Sequence, residues 1–265
     1  MFTLILQELK LENKEAIKQY WDNEPCGTRN IPYPIGSFPY FQAIENRRYK
    51  LDHITEKYNL IDYKGKHLLE VGCGIGTDLV QISRTGAYVT GMDISPKSVM
   101  MARENLRLFQ CDGTVIEGDA ENIPYKDCSF DVVKSWGVIH HLSNPDKAIS
   151  EIHRVLKPNG EVCVMLYHKP SLVVLQMWLA FGLFRLKPLR SIEDILANHH
   201  ESLGTKAYTV KQVRDMFSAF KNLKIDLRAT SYDLRYWRDK YFPSWMVKLV
   251  PRQLGWYVIV QGQKS

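Results

Sequence analysis

The segment Leu68-Leu69-Glu70-Val71-Gly72-Cys73-Gly74-Ile75-Gly76-Thr77 reads as a buried strand, a glycine turn and the start of a helix. Such a turn lets the main chain approach a nucleotide-like ligand closely. The spacing is not the dinucleotide-binding G-x-G-x-x-G, because Thr77 stands where the last glycine would fall, and no G-K-[ST] is present for a phosphate loop. Glu70, two residues before the first glycine, is an awkward neighbour for pyrophosphate and a natural one for a cationic ligand. Asp93, in Gly91-Met92-Asp93-Ile94-Ser95, is suitably placed for ribose hydroxyls. Asp119, in Gly118-Asp119-Ala120-Glu121, can accept from an exocyclic adenine amine. Both acids end strands, and strand C-termini form the ligand edge of a parallel sheet. Adjacent imidazoles, His140 and His141, follow a further strand and are candidates for proton transfer. Gly76 is expected to serve helix–strand packing, Cys73 to be there for its small size, and Asp131 to cap or pair.

These residues need strands to end beside one another. From Lys66 onward, short apolar strands alternate with helical segments: strands at 67–71, 88–93, 113–117, 131–136 and 161–167, helices at 77–85, 96–109 and 145–156. Two further strands are expected at 223–228 and 256–261, making an α/β fold with a seven-stranded, mostly parallel sheet and helices on both faces. Upstream, residues 13–24 and 41–58 have helical spacing, separated by an ordered loop with four prolines between Pro25 and Pro39. The chain divides into an N-terminal helical lid (1–59), a core (60–168), and a region (169–265) that carries the last two strands and two insertions, 168–221 and 230–254.

Composition bounds the class. At 265 residues, 45% hydrophobic and 24% charged, the chain is an ordinary globular one. Its five cysteines contain no C-x-x-C pair, which excludes zinc-ribbon and redox motifs and suggests buried thiols in a reducing cytosol. The first eleven residues lack a basic region and carry Glu8, unlike a signal peptide, and the longest apolar run, 172–186, is too short for a membrane span. A cytoplasmic location is expected. The net charge of +6 is uneven, at −3 for residues 1–168 and +9 for 169–265.

Together with Phe130-Asp131-Val132-Val133, Val138-Ile139-His140-His141-Leu142 and the run from Glu151 to Gly160, these segments resemble the class I S-adenosylmethionine-dependent methyltransferases, in the small-molecule branch that includes the ubiquinone/menaquinone-pathway enzymes. The resemblance covers roughly 60–168 and implies a Rossmann-like core with S-adenosyl-L-methionine as cofactor. It places Gly72, Cys73 and Gly74 on the methionine part, with Glu70 beside them, Asp93 with Ile94 on the ribose, and Asp119 with Ala120 on adenine. Ser135 and Trp136 fall where the family's backbone meets the methionyl group. His140 and His141 are the catalytic candidates, and no metal is required, because transfer from a sulfonium depends mostly on alignment. The acceptor side implied is a small molecule with a hydrophobic part, bound by aromatic residues in 20–49 (Tyr20, Trp21 and Tyr49 among them) and 232–257. The stretch from Trp21 to Arg29 suggests a lid folding over the cofactor, with Tyr20, Thr28 and Arg48 as contacts. A tRNA or protein acceptor is the alternative, encouraged by the basic C-terminal balance, but no nucleic-acid module is appended. The apolar segment 172–184 could line an acceptor tunnel, form a homodimer interface, or touch a membrane beside Arg185, Lys187 and Arg190.

Overall fold

The structure, a computed structural model, describes residues 14–59, 61–202, 204–237 and 240–265, without the side chains of residues 53, 236 and 237. The start of the N-terminal segment and the side chains of Tyr236 and Trp237 in the aromatic cluster therefore lie outside the described residues. A helix over 14–23 (α1) precedes α2 (Phe38–Leu51) and α3 (His53–Asn59). Periodicity predicts a single helix over 41–58, but the chain breaks at Asp52, whose carboxylate accepts the Thr55 N–H at 3.0 Å and so caps the second helix. Strands and helices then alternate as β1 (His67–Val71), α4 (Thr77–Ser83), β2 (Tyr88–Asp93), α5 (Pro96–Leu108), β3 (Gly113–Glu117), β4 (Phe130–Trp136), α6 (Pro145–Val155) and β5 (Leu156–Tyr167). The remainder holds α7 (Leu172–Phe181), α8 (Ile192–His199), α9 (Val210–Met216), β6 (Phe220–Arg228), an unforeseen hairpin of β7 (Arg235–Trp237) and β8 (Lys240–Tyr241), and β9 (Tyr257–Lys264).

The seven-stranded sheet has the order β3-β2-β1-β4-β5-β9-β6. The first five strands are parallel, and β9 runs antiparallel between β5 and β6. Both faces are covered, so the strands read as nearly continuous apolar runs. One face packs Leu69, Val133, Val164 and Val260 on Ile149 and Ile152 of α6, and the other packs Leu68, Val89 and Val115 on Leu79 of α4 and Leu106 of α5. Because the chain builds outward from β1 on one side and returns to start β4 on the other, a crevice is left at the C-terminal edge between β1 and β4.

Several details differ from expectation. α7 is buried on one face only: Val173, Val174 and Met177 pack with Tyr167, Ile195 and Trp256, while Leu175 is 50% exposed. Of the cysteines, only Cys73 and Cys163 are buried; Cys26 and Cys128 are exposed. Asp131 pairs as expected, accepting the His67 N–H at 2.9 Å and meeting Lys157 at 2.8 Å. Among the described residues no helix is long and apolar enough to cross a membrane.

Gly76 opens α4 at φ 77°, and a β-carbon there would stand 3.0 Å from that of Ala102 on α5. It serves a helix–helix contact, where the sequence suggested a helix–strand one. Gly76→Val should destabilise the fold by about 1–3 kcal/mol, through left-handed backbone strain and overpacking against α5. Urea unfolding checks this; a change under about 0.5 kcal/mol would contradict it.

Candidate active site

The glycine turn sits at the crevice. The Gly72 and Cys73 N–H groups donate to the Met92 carbonyl at 2.7 and 3.1 Å, which ties the turn to β2. Asp93 completes the tie: one carboxylate oxygen accepts the Gly74 N–H at 2.8 Å and the other the Ser95 N–H at 2.9 Å. Its neighbour Ile94 is half-buried and also donates its N–H toward this carboxylate. Burial raises the Asp93 pKa even so. With the Gly74, Ser95 and Ile94 N–H groups directed at it, about one of the carboxylate's roughly four lone-pair directions remains for a ligand. Gly74 has φ 53°, and a β-carbon there would meet nothing within 4 Å, so the backbone faces open space. Under the turn, Glu70 is buried, and one of its oxygens has no hydrogen-bond partner among the described residues. Burial, reinforced by the charge of Asp78, pushes its carboxyl up to about 8. A cationic ligand group would satisfy that oxygen, so cradle and orphan together fit an amino-acid-bearing cofactor.

The other expected cofactor residues are placed less uniformly. Cys73 is buried, its thiol raised well above the ordinary range by burial, as a packing role requires. Ser135 is fully buried and its hydroxyl donates to the Val71 carbonyl, so that side chain holds the sheet together. Trp136 is buried beside Tyr58 at 5.4 Å, and among the described residues its indole N–H has no hydrogen-bond partner. Ala120 is buried in the loop after β3. Asp119, in the same loop, accepts the Glu121 N–H at 2.8 Å and pairs with Lys14 at 2.7 Å. Burial opposes the Lys14 charge, but Asp119 and Glu121 more than offset it and raise its pKa. α1 thus lies across the sheet edge: Lys14 reaches Asp119, Lys18 reaches Glu117, the Asp22 carboxylate accepts the Ser95 hydroxyl, and Trp21 packs on His141 at 5.3 Å.

Sequence reasoning missed the ion network beneath the turn. Lys134 on β4 is fully buried, donates to the Asn59 side-chain oxygen and lies 3.5 Å from Asp78. Asp78 receives a two-pronged bond from Arg48, at 2.8 and 2.6 Å, and the Tyr49 hydroxyl at 2.9 Å. Burial alone would raise Asp78, but Arg48 and Lys134 hold its carboxyl well below the usual carboxylate range. The legible signal was a charge inside the apolar run of β4. Arg48, considered as a cofactor contact, is committed first to this network.

The two histidines have different surroundings. His141 Nδ1 lies 3.0 Å from the Thr205 hydroxyl and 2.9 Å from that of Ser202, and its Nε2 lies 3.2 Å from Glu201. His140 is fully enclosed and stacked on Tyr167 at 3.6 Å, and among the described residues neither of its nitrogens has a hydrogen-bond partner. Burial and His141 drop its pKa well below the ordinary value, so it is neutral. Their loop touches the glycine turn, since a β-carbon on Gly72 would fall 2.3 Å from Val138. Glu201 went unnoticed because it lies 60 residues away with no motif spacing. It adopts φ 53°, and its carboxylate accepts the Tyr167 hydroxyl at 2.8 Å. Burial opposes its charge, but His200 and His141 hold it well below the usual range. Cys26 is exposed, yet its thiol is raised by burial and feels Arg48 and Glu201, as expected of a side chain lining a re-entrant cleft. Tyr20 feels Glu201, and Tyr232 feels Cys26 and Arg48, so side chains of the N-terminal segment and of the 168–254 insertions lie near one another. His140, His141 and Glu201 are also the described set that could hold a metal, with donor atoms within 4.8 Å of one another.

Residues 69–164 match a family model described as a methyltransferase domain. The chain is 33% identical over 114 residues to the sterol 4-C-methyltransferase strm-1 of Caenorhabditis elegans, covering 42% of this chain and 34% of the relative. It is 34% identical over 131 residues to a demethylmenaquinone methyltransferase of Tropheryma whipplei, covering 48% and 54%. It is 36% identical over 153 residues to the phthiotriol/phenolphthiotriol dimycocerosates methyltransferase of Mycobacterium tuberculosis, covering 57% and 53%. The chain spans only 34–66% of the length of the first curated relatives it matches. A crystal structure of a SAM-dependent methyltransferase from Thermotoga maritima has the same fold, with a TM-score of 0.60 at 17% identity over 94% of this chain and 100% of that one.

Glu70 gives a pH test. In the fold its carboxyl keeps the proton up to about pH 8, whereas an unfolded glutamate loses it near 4.5. The folded state therefore binds more protons across that window, and stability should fall as pH rises through it. Thermal unfolding between pH 6 and 9 should show a declining midpoint, flattened in Glu70→Gln. An equal decline in both proteins would refute the assignment.

Proposed function

With residues 69–164 a class I S-adenosylmethionine-dependent methyltransferase domain, we propose that the chain transfers a methyl group to a small acceptor with a substantial apolar part, by in-line displacement. S-adenosyl-L-methionine, when bound, supplies a methyl group activated on a sulfonium. The observation that carries the reading is the cradle itself: open backbone at Gly74, the Asp93 carboxylate tied to it, and an orphaned Glu70 oxygen beneath.

In this reading Glu70 receives the cofactor's ammonium, the turn from Gly72 through Cys73 to Gly74 approaches its methionine part, and the main chain of Ser135 and Trp136 closes the far wall. Asp93 and Ile94 hold the ribose. Asp119 and Ala120 hold adenine, with Lys14 shielding the acid from solvent. The helix α1 acts as a lid that excludes water and keeps the reactants aligned. Tyr20, Cys26, Tyr167, Glu201 and Tyr232 bound the acceptor side. An apolar acceptor suits these ring faces, and the relatives' names specify a sterol, a demethylmenaquinone and phthiotriol lipids. They favour a small molecule over the tRNA or protein alternative. His140 and His141 are the catalytic pair: His141 is fixed by Glu201, Ser202 and Thr205, and His140 is neutral, the state a base requires.

Calorimetry tests the cofactor site. Asp93→Ala should weaken S-adenosylmethionine binding by about 1.5–3 kcal/mol, the size of hydrogen bonds to a charged group. Asp93→Asn should fall between wild type and Ala, since its amide oxygen can still accept one N–H. Unchanged affinity in the Ala variant would remove the ribose assignment. Methyl transfer should survive dialysis against a chelator undiminished. Activity lost on dialysis and restored by one divalent ion would instead give His140, His141 and Glu201 a ligating role.

A further inference from the structure

α7 ends in a turn that the core does not require. The Lys187 N–H returns to the Gly182 carbonyl at 2.8 Å, carrying the chain through Leu186 in the left-handed region at φ 56°. Helix ends of this kind usually carry glycine or asparagine there, because a β-carbon is disfavoured by roughly 1–2 kcal/mol. Leu186 accepts that cost and buries nothing. It is 90% exposed, Leu189 is 98% exposed and Phe184 is 77% exposed. Between these apolar tips stand Arg185, Lys187 and Arg190, which line a crevice of about 300 Å³ with Phe181 and His199. Asp194 partly neutralises Arg190, whose guanidinium also lies 2.7 Å from His199 Nε2. Arg185 lies over the Phe181 ring at 6.0 Å, and among the described residues neither it nor Lys187 pairs with a carboxylate.

We propose that segment 182–190 docks the protein on a bilayer surface bearing anionic phospholipid. Phe184, Leu186 and Leu189 enter the acyl boundary, while Arg185 and Lys187, at the mouth of the crevice, take headgroup phosphate. A nucleic acid or a free anion would use the cations and leave three large apolar side chains in water; a lipid surface uses both. The ten residues of α7, about 15 Å of helix, join this segment to the core cluster around Tyr167 and Trp256. An acceptor dissolved in lipid would thus lie one helix from the cleft. The docking surface goes beyond the methyl-transfer reading and stands on its own observations.

Vesicle co-sedimentation of the full chain tests it, using phosphatidylcholine with or without about 30% phosphatidylglycerol. Wild type should partition at least about tenfold more strongly onto the anionic vesicles at low salt, and Arg185→Gln and Lys187→Gln should each lose about fivefold. Leu186→Asn combined with Leu189→Ser should lose about tenfold, with thermal unfolding and cofactor affinity unchanged, because asparagine suits the left-handed position. Protein that stays in the supernatant with both vesicle types overturns the proposal, as does binding that the leucine variant retains in full. RNA binding that depends on the cations but not on the leucines would reassign the patch and equally overturn it. Each of these failures leaves cofactor binding, read separately by calorimetry, standing.

Discussion

A charged lysine in the middle of a parallel sheet must be answered by an acid, and Lys134 is fully buried on β4. Its answer is Asp78, in the first turn of α4 directly after the glycine turn, 3.5 Å away. One carboxylate held between Lys134 and Arg48 fastens β4, α4 and α2 together, and Asn59 adds α3 through Tyr49 and Lys134. Removing one partner of a buried pair typically costs about 3–5 kcal/mol, because the other charge is left uncompensated. The position of the N-terminal segment over the crevice is therefore set by the electrostatics of the sheet as well as by apolar packing.

Burial, reinforced by Asp78 and opposed by Lys134 and Arg48, sets the state of Glu70. With Asp78 already ionised and satisfied, a second carboxylate in the same low-dielectric space is disfavoured, and the Glu70 carboxyl rises to about 8. The site thus holds an acid that is mostly protonated near neutrality and can become an anion when a cation arrives. Asp93 stands one strand away with backbone N–H donors on both oxygens, which gives the turn its shape. Geometry and charge at the crevice are separate contributions, one from the Asp93 bonds and the other from the Lys134–Asp78–Arg48 core.

Much of this was legible in the sequence. Valine-rich runs gave the strands, because a sheet covered on both faces needs them, and acids at strand ends marked the ligand edge. Features that depend on residues distant in the chain were not. Lys134 is a charge among apolar neighbours that the sequence reading passed over, and its partners Asp78, Arg48 and Asn59 come from three other elements with no spacing to link them. Glu201 reaches His141 only because an insertion folds back over β5. The break at Asp52 depends on capping bonds that helical periodicity does not register, and a leucine that is 98% exposed, Leu189, reads in sequence like any core leucine.

We propose that the crevice between β1 and β4 receives the cofactor's cationic group on Glu70. Titration calorimetry with S-adenosylmethionine at pH 7, repeated in two buffers of different ionisation enthalpy, tests it most directly. Because the carboxyl sits at about 8 before binding, pairing with an ammonium should expel its proton. A buffer-dependent heat equivalent to most of one proton released is expected, absent in Glu70→Gln. A binding heat identical in both buffers, or proton release that persists in Glu70→Gln, would contradict it.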